Sequence, residues 1–165
     1  MRRIPAQIAL AILLSACELS LPTRSRAPAD TAAGEIAFRL ASPNEAAILV
    51  PVQINGRSAI DFVLDTGATL SCIDVSLARE LQLPDDDAIG GIAVGAMNVG
   101  RLETVRIDSL RIGNAVVYDV AACKLDLEVL RRGFGAHGLI GLNFLKSFDM
   151  QLDFDRNVLT LTAPD

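Results

Sequence analysis

The chain has no Trp, one Tyr and a single His, His137, among its 165 residues. With so few aromatics the core must be built from Val, Ile, Leu and Ala, which a half-hydrophobic composition supplies. One histidine excludes a multi-histidine metal site and leaves a His-based triad conceivable only through His137. Three cysteines are too few for a disulfide-dense scaffold. Basic residues are in the minority. Arg2 and Arg3 precede Cys17, whereas all 20 acidic residues follow it; removing those two from the 15 basic residues leaves 13 against 20, a net charge of −7. Such a surface suits neither the phosphates of nucleic acid nor anionic lipid.

A charged start, Met1-Arg2-Arg3, precedes an apolar stretch over residues 8–14 that is too short to span a bilayer. This is the form of a secretory signal peptide, set aside from the fold. It ends in Leu14-Ser15-Ala16-Cys17, which resembles the lipobox of bacterial lipoproteins. The resemblance implies cleavage before Cys17 and a lipid anchor on its sulfur. Glu18, rather than Asp, follows, which implies an outer-membrane lipoprotein on the periplasmic side of a Gram-negative envelope. An ordinary signal peptide with a coincidental Cys is the alternative. Residues 18–34 are rich in Pro, Ala, Ser, Thr and Arg without periodicity. They read as a flexible tether with a reach of roughly 55 Å. The expected organisation is a signal peptide (1–16), Cys17 with its tether (17–34) and one domain (35–165).

Within that domain apolar and polar residues alternate over short stretches, the period of half-buried strands. Strands are expected over residues 35–40, 48–54, 58–64, 70–75, 102–110, 111–122, 150–154 and 158–161. Ser42-Pro43-Asn44 breaks the first, Asn55-Gly56 is a hairpin turn, and Gly113-Asn114 and Asp155-Arg156-Asn157 make further turns. A short helix is expected over 76–83, with Ser76 as N-cap, Leu77 and Leu81 buried and Pro84 as terminator. Another follows over 142–148, and residues 125–135 are a loop or a short helical turn. Asp85-Asp86-Asp87 reads as a solvated loop; its spacing does not match a calcium-binding EF-hand. The glycines of 89–100 are followed by no Lys-Ser/Thr and no helix pattern, which argues against a phosphate loop. The fold class is all-β, a small closed barrel with one or two short helices.

The stretch Phe62-Val63-Leu64-Asp65-Thr66-Gly67-Ala68-Thr69 drives an apolar strand straight into a carboxylate at a turn. Gly67 permits a left-handed turn or a close approach of backbone to carboxylate, and the Thr66 hydroxyl offers a hydrogen bond. Leu139-Ile140-Gly141 lies about seventy residues on. Together these motifs resemble the two signatures of the single-lobed, retropepsin-like aspartic proteases. The resemblance covers most of residues 35–161 and implies a retropepsin-like barrel. In it Asp65 is catalytic, Thr66, Gly67, Ala68 and Thr69 form the active-site loop, and Leu139, Ile140 and Gly141 support that loop from below. It also implies a mobile flap, on Gly90, Gly91, Ile92, Val94 and Gly95, which would otherwise be a plain surface hairpin.

Retroviral members carry a second Asp two residues after the motif glycine, paired with an Arg directly after the glycine of the second signature. Here those places hold Thr69 and Leu142, so both partners are missing together. His137, just before the second signature, could titrate near neutrality or be a plain loop residue. Cys72 and Cys123 form one disulfide in an oxidising compartment, or are two buried thiols. No second Asp is followed by Thr or Ser and then Gly, and the chain is too short for two lobes. Carboxylate-catalysed peptide hydrolysis needs two acids sharing a proton. The resemblance therefore implies a homodimeric endopeptidase acting on peptide or protein, without metal or cofactor. The alternatives are a non-catalytic, lipid-anchored module that binds peptide or protein, and a structural envelope lipoprotein.

Overall fold

A computed structural model describes residues 34–41, 47–86, 92–95 and 98–164, with the backbone alone for 92–95 and 98–101. The leader, Cys17, the tether to residue 33, Ser42-Pro43-Asn44, Asp87, Gly90 and Gly91 lie outside the described residues. Among the described residues no helix is long and apolar enough to cross a membrane.

β3 (Ile48–Ile54) and β4 (Ile60–Leu64) form the hairpin expected around Asn55-Gly56. Both turn residues have positive φ, 49° and 71°, which Asn and Gly tolerate. Asn55 Oδ1 also accepts the N–H of Ser109 at 3.0 Å, bonding the turn to β8 (Thr104–Ile112). β8 pairs with β3, Ile54 opposite Leu110, and runs through Gly113-Asn114 into β9 (Ala115–Leu125). β9 lies parallel to β5 (Ser71–Asp74), and β10 (Gly138–Ile140) fills the gap between β5 and β4. The strands β3, β4, β10, β5, β9 and β8 thereby close into a barrel with no open edge. Its core is aliphatic, with Val52, Ile54, Ile73, Ile107 and Ile140 packed around Phe62 and Phe144.

The expected first strand is two strands in different sheets. β1 (Gly34–Ala37) joins β12 (Val158–Thr162) and β11 (Asp149–Asp153), in the order β1-β12-β11, while β2 (Arg39–Leu40) pairs with β3. Phe38 makes the switch. Its N–H donates to the Asn157 carbonyl at 3.0 Å, and its buried ring meets Phe154 edge-on at 5.7 Å. β6 (Ile92–Gly95) and β7 (Asn98–Arg101) form a separate antiparallel hairpin, Val94 opposite Val99.

The helices are α1 (Val75–Glu80), α2 (Glu128–Phe134) and α3 (Leu142–Leu145). α2 resolves the stretch left open as loop or turn, and α3 stops three residues short of its expected end. Asp85 is exposed, as a solvated loop requires, and meets Lys124 at 2.7 Å; Asp86, against that expectation, is largely covered and meets Arg106 at 2.9 Å. The N-cap of α1 is Asp74, not Ser76, and the helix buries Leu77 and Ala78, with Leu81 as C-cap.

Asp74 caps because its carboxylate is buried and must be satisfied. Oδ1 accepts from the N–H of Ser76 at 2.9 Å and from the Ser76 hydroxyl; Oδ2 accepts from the N–H of Leu127 at 3.0 Å, and Arg131 stands 3.5 Å away. One side chain so ties α1 to α2. Burial alone would raise its pKa, but the Ser76 hydroxyl, the N–H groups of Leu127 and Ser76, and the Arg131 cation outweigh that, and the carboxyl ends below its ordinary value. A carboxyl depressed in the folded state contributes stability above the unfolded value near ~4 and loses it as pH falls through the folded value. Asp74→Asn is therefore expected to cost about 2 kcal/mol at pH 7, with the gap narrowing below about pH 4. Urea unfolding at a series of pH values checks this; a gap unchanged down to pH 2 would contradict it.

Candidate active site

Asp65 stands where β4 ends. Its N–H donates to the Ile140 carbonyl at 3.0 Å, continuing the parallel ladder of β4 with β10, and the chain then turns, Ala68 N–H to Asp65 carbonyl at 3.3 Å. The side chain curls over this turn: Oδ1 accepts the N–H of Gly67 at 2.9 Å. Gly67 does not have positive φ, so of its two expected uses the close approach is the real one. A Cβ there would lie 3.2 Å from Asp65 Oδ1 and crowd the carboxylate. Asp65 is half-buried, while Thr66, Gly67 and Thr69 are exposed. The hydrogen bond that orients the carboxylate comes from the Gly67 backbone.

The second signature sits against this loop. Leu139 lies opposite Val63 on one side of β10 and opposite Cys72 on the other. Gly138 has no room for a side chain, since a Cβ would fall 2.0 Å from the Phe62 ring. Nor has Gly141, whose Cβ would fall 2.6 Å from the Leu70 carbonyl and 2.8 Å from that of Ala68. Past Gly141 the loop is bonded to the start of α3: Leu142 N–H to Ala68 carbonyl at 2.8 Å, Asn143 N–H to Thr69 carbonyl at 3.1 Å.

Two residues that sequence reasoning missed complete the support. Asn143 Oδ1 accepts both the N–H of Ser71 at 2.7 Å and its hydroxyl at 2.9 Å, while Asn143 Nδ2 donates to the Ala121 carbonyl at 2.8 Å. Ser71 Oγ in turn accepts the N–H of Gly141 at 3.1 Å. The pair locks the loop, β5, β9 and the second signature into one polar knot. Its only traces in the sequence are a Ser opening an apolar strand and an Asn inside a short helix, where Asn is a poor helix former.

Asp61, on the same strand as Asp65, is paired with Arg39 at 2.7 Å. His137 extends the β10 ladder through its backbone, N–H to Asp61 carbonyl at 2.8 Å and carbonyl to Asp74 N–H at 2.9 Å. Cys72 and Cys123 lie opposite each other on β5 and β9 and are bonded, Cα to Cα 4.4 Å. Of the expected flap residues, Ile92, Val94 and Gly95 fall on β6. A cavity of about 390 Å³ beside α1 takes in none of these groups; its Lys124 is held by Asp85 and Glu103, which raise its pKa. Among the described residues no cluster of ligating side chains fits a metal ion.

A family model described as "Aspartyl protease" matches residues 50–144, more than half of the chain, from within β3 to within α3. The chain belongs to the aspartyl protease family. The match includes Asp65, the Ser71–Asn143 knot and the second signature, so this aspartyl protease domain has its family segment wrapped around the loop just described. Among solved structures, a retropepsin-like aspartic protease from Rickettsia conorii is similar at 20% identity and a TM-score of 0.55, covering 82% of this chain and 96% of that one. At that identity the likeness shows the fold. The retroviral protease-like domain of Ddi1 from Leishmania major is 21% identical with a TM-score of 0.47, covering 72% of this chain and 94% of that one. No curated protein matches the sequence.

Asn143→Ala leaves the Ser71 donors without their acceptor in a part-buried place. It is expected to lower the free energy of unfolding by about 2 kcal/mol. Denaturant unfolding measures this directly, and a loss below about 0.5 kcal/mol would show that the knot adds little.

Proposed function

We propose that the protein is an aspartic endopeptidase whose active centre forms when two copies bring their Asp65 side chains together. The observation that carries this reading is the Asp65 carboxylate itself. It is half-buried at the tip of the family's loop, oriented by the Gly67 N–H, and among the described residues no cation pairs with it. Asp61, the other acid on its strand, is engaged with Arg39 and is no substitute. A single chain therefore supplies one reactive carboxylate where the chemistry needs two.

In the assembled centre the two carboxylates hold one proton between them. The ionised one takes a proton from water as the water oxygen attacks the scissile carbonyl carbon, and the protonated one gives its proton to the carbonyl oxygen. A tetrahedral intermediate results. A proton then passes to the amide nitrogen, the C–N bond breaks, and acid and amine leave. Thr66, exposed beside Asp65, would brace the two loops across the axis. The β6–β7 hairpin would serve as the flap over bound peptide. No metal or cofactor enters this chemistry. The leader supports a place at the periplasmic side of the bacterial envelope, with Cys17 lipidated and the domain held on its tether. Anchoring would raise local concentration and favour pairing.

Asp65→Asn is expected to lower cleavage of a quenched fluorescent peptide library by at least about a thousandfold while the fold is retained. Specific activity of the wild type should fall steeply on dilution. Undiminished cleavage by Asp65→Asn would eliminate this reading.

A further inference from the structure

The cavity of about 390 Å³ beside α1 shares no residue with the Asp65 loop, the second signature or the Ser71–Asn143 knot. One side of it is α1 and the turn that ends the helix. Val75, Ala78, Arg79 and Gln82 line it at three- and four-residue steps, which is one face of a helix. The turn is a Schellman motif: the Gln82 N–H donates to the Arg79 carbonyl and the Leu83 N–H to the Ala78 carbonyl, each at 3.1 Å. The left-handed position of that motif, which glycine adopts without steric cost, is held here by Gln82, with φ 53°. A side-chain amide is thus kept at the cavity by a turn that would more easily carry no side chain at all.

The other side is stitched to β8 by its backbone: the Asp86 N–H donates to the Thr104 carbonyl at 2.9 Å, and the Arg106 N–H to the Pro84 carbonyl at 3.0 Å. There Asp85 and Glu103 both meet Lys124 of β9, at 2.7 and 3.1 Å. Two carboxylates against one ammonium leave this side one negative charge in excess. Both carboxylates are exposed, so each has lone pairs left for another donor. The α1 side has the opposite sign. Arg79 is exposed, and among the described residues no carboxylate pairs with it. Val75, Ala78 and Leu83 add apolar surface.

We propose that this cavity binds a small aliphatic zwitterion, a free α-amino acid or a dipeptide. Its carboxylate would lie on Arg79 and the Gln82 amide, its ammonium on Asp85 and Glu103, and its side chain against Val75 and Leu83. Either charge alone would leave one side unmet: a plain anion would face the Asp85–Glu103 excess, and a plain cation would face Arg79. The volume is near the lower end for small-molecule pockets and admits one or two residues, not an extended peptide. Because the backbone of both sides is already fixed, binding orders little of the protein. The charges lie at the surface, so binding is weak and weakens further with salt. The site does not depend on the pairing of Asp65.

The experiment is isothermal titration calorimetry on the full chain in detergent at low salt. The probes are leucine, leucyl-leucine and the doubly blocked N-acetyl-leucine amide. At least one zwitterion is expected to bind with a Kd below about 1 mM, and the blocked probe at least about tenfold more weakly. The tighter of the two zwitterions tells amino acid from dipeptide. Arg79→Gln and Glu103→Gln are each expected to weaken that binding by at least about threefold. Gln82→Gly, which the turn accommodates, should fold and also bind more weakly. Arg57→Gln, remote in the β3–β4 turn, and Asp65→Asn should bind as the wild type does. Binding lost in Asp65→Asn would place the probe at the loop and overturn the assignment. So would equal binding of the blocked probe, binding unchanged in both Arg79→Gln and Glu103→Gln, or no heat from either zwitterion at about 10 mM.

Discussion

The bond from the Asp65 N–H to the Ile140 carbonyl can form only if β10 lies flush between β4 and β5. That closeness is bought with two missing side chains. At Gly138 the space belongs to the Phe62 ring, and at Gly141 to the loop backbone itself. A methyl group at either place would push the strand away and let the Asp65 turn drift. The barrel core and the Asp65 loop are therefore one packing problem: the ring that fills the interior also sets how near the supporting strand can come.

Polar groups then hold what packing brings together. A buried Ser or Asn is costly unless its donors and acceptors are met. Ser71 and Asn143 meet each other's needs and those of Gly141 and Ala121 in one stroke. The arrangement spans segments about seventy residues apart, so it forms only once the barrel has closed. Asp74 repeats the device nearby, with a full charge in place of an amide and α2 as the segment drawn in.

Much of this was legible in the sequence because it is periodic or local. The β3–β4 hairpin follows from alternation and Asn55-Gly56; the loop and its support follow from two short motifs. What escaped depends on distant partners. Ser76 looked like the cap of α1, yet Asp74 caps it by accepting the Ser76 N–H, and the burial of its charge rests on Leu127 and Arg131, more than fifty residues on, donors that no local rule counts. The 35–40 stretch alternates as one strand would, but Phe38 is claimed by Asn157 and Phe154 at the other end of the domain. Asn143 and Ser71 carry no pattern at all until their strands are neighbours. The cysteines could only be counted; their pairing needed the register of β5 against β9.

That pairing has a bearing on how the molecule would age. The Cys72–Cys123 bond closes a covalent ring between residues 51 apart in sequence, and the β6–β7 hairpin lies inside it. In a chain-entropy picture such a ring is worth about 4 kcal/mol. Its topological effect is separate from its energy. A single backbone break anywhere between the two cysteines, self-inflicted or not, opens the ring without releasing a fragment. The nicked chain would keep the mass of the intact one, plus a water, until a reductant parted its halves.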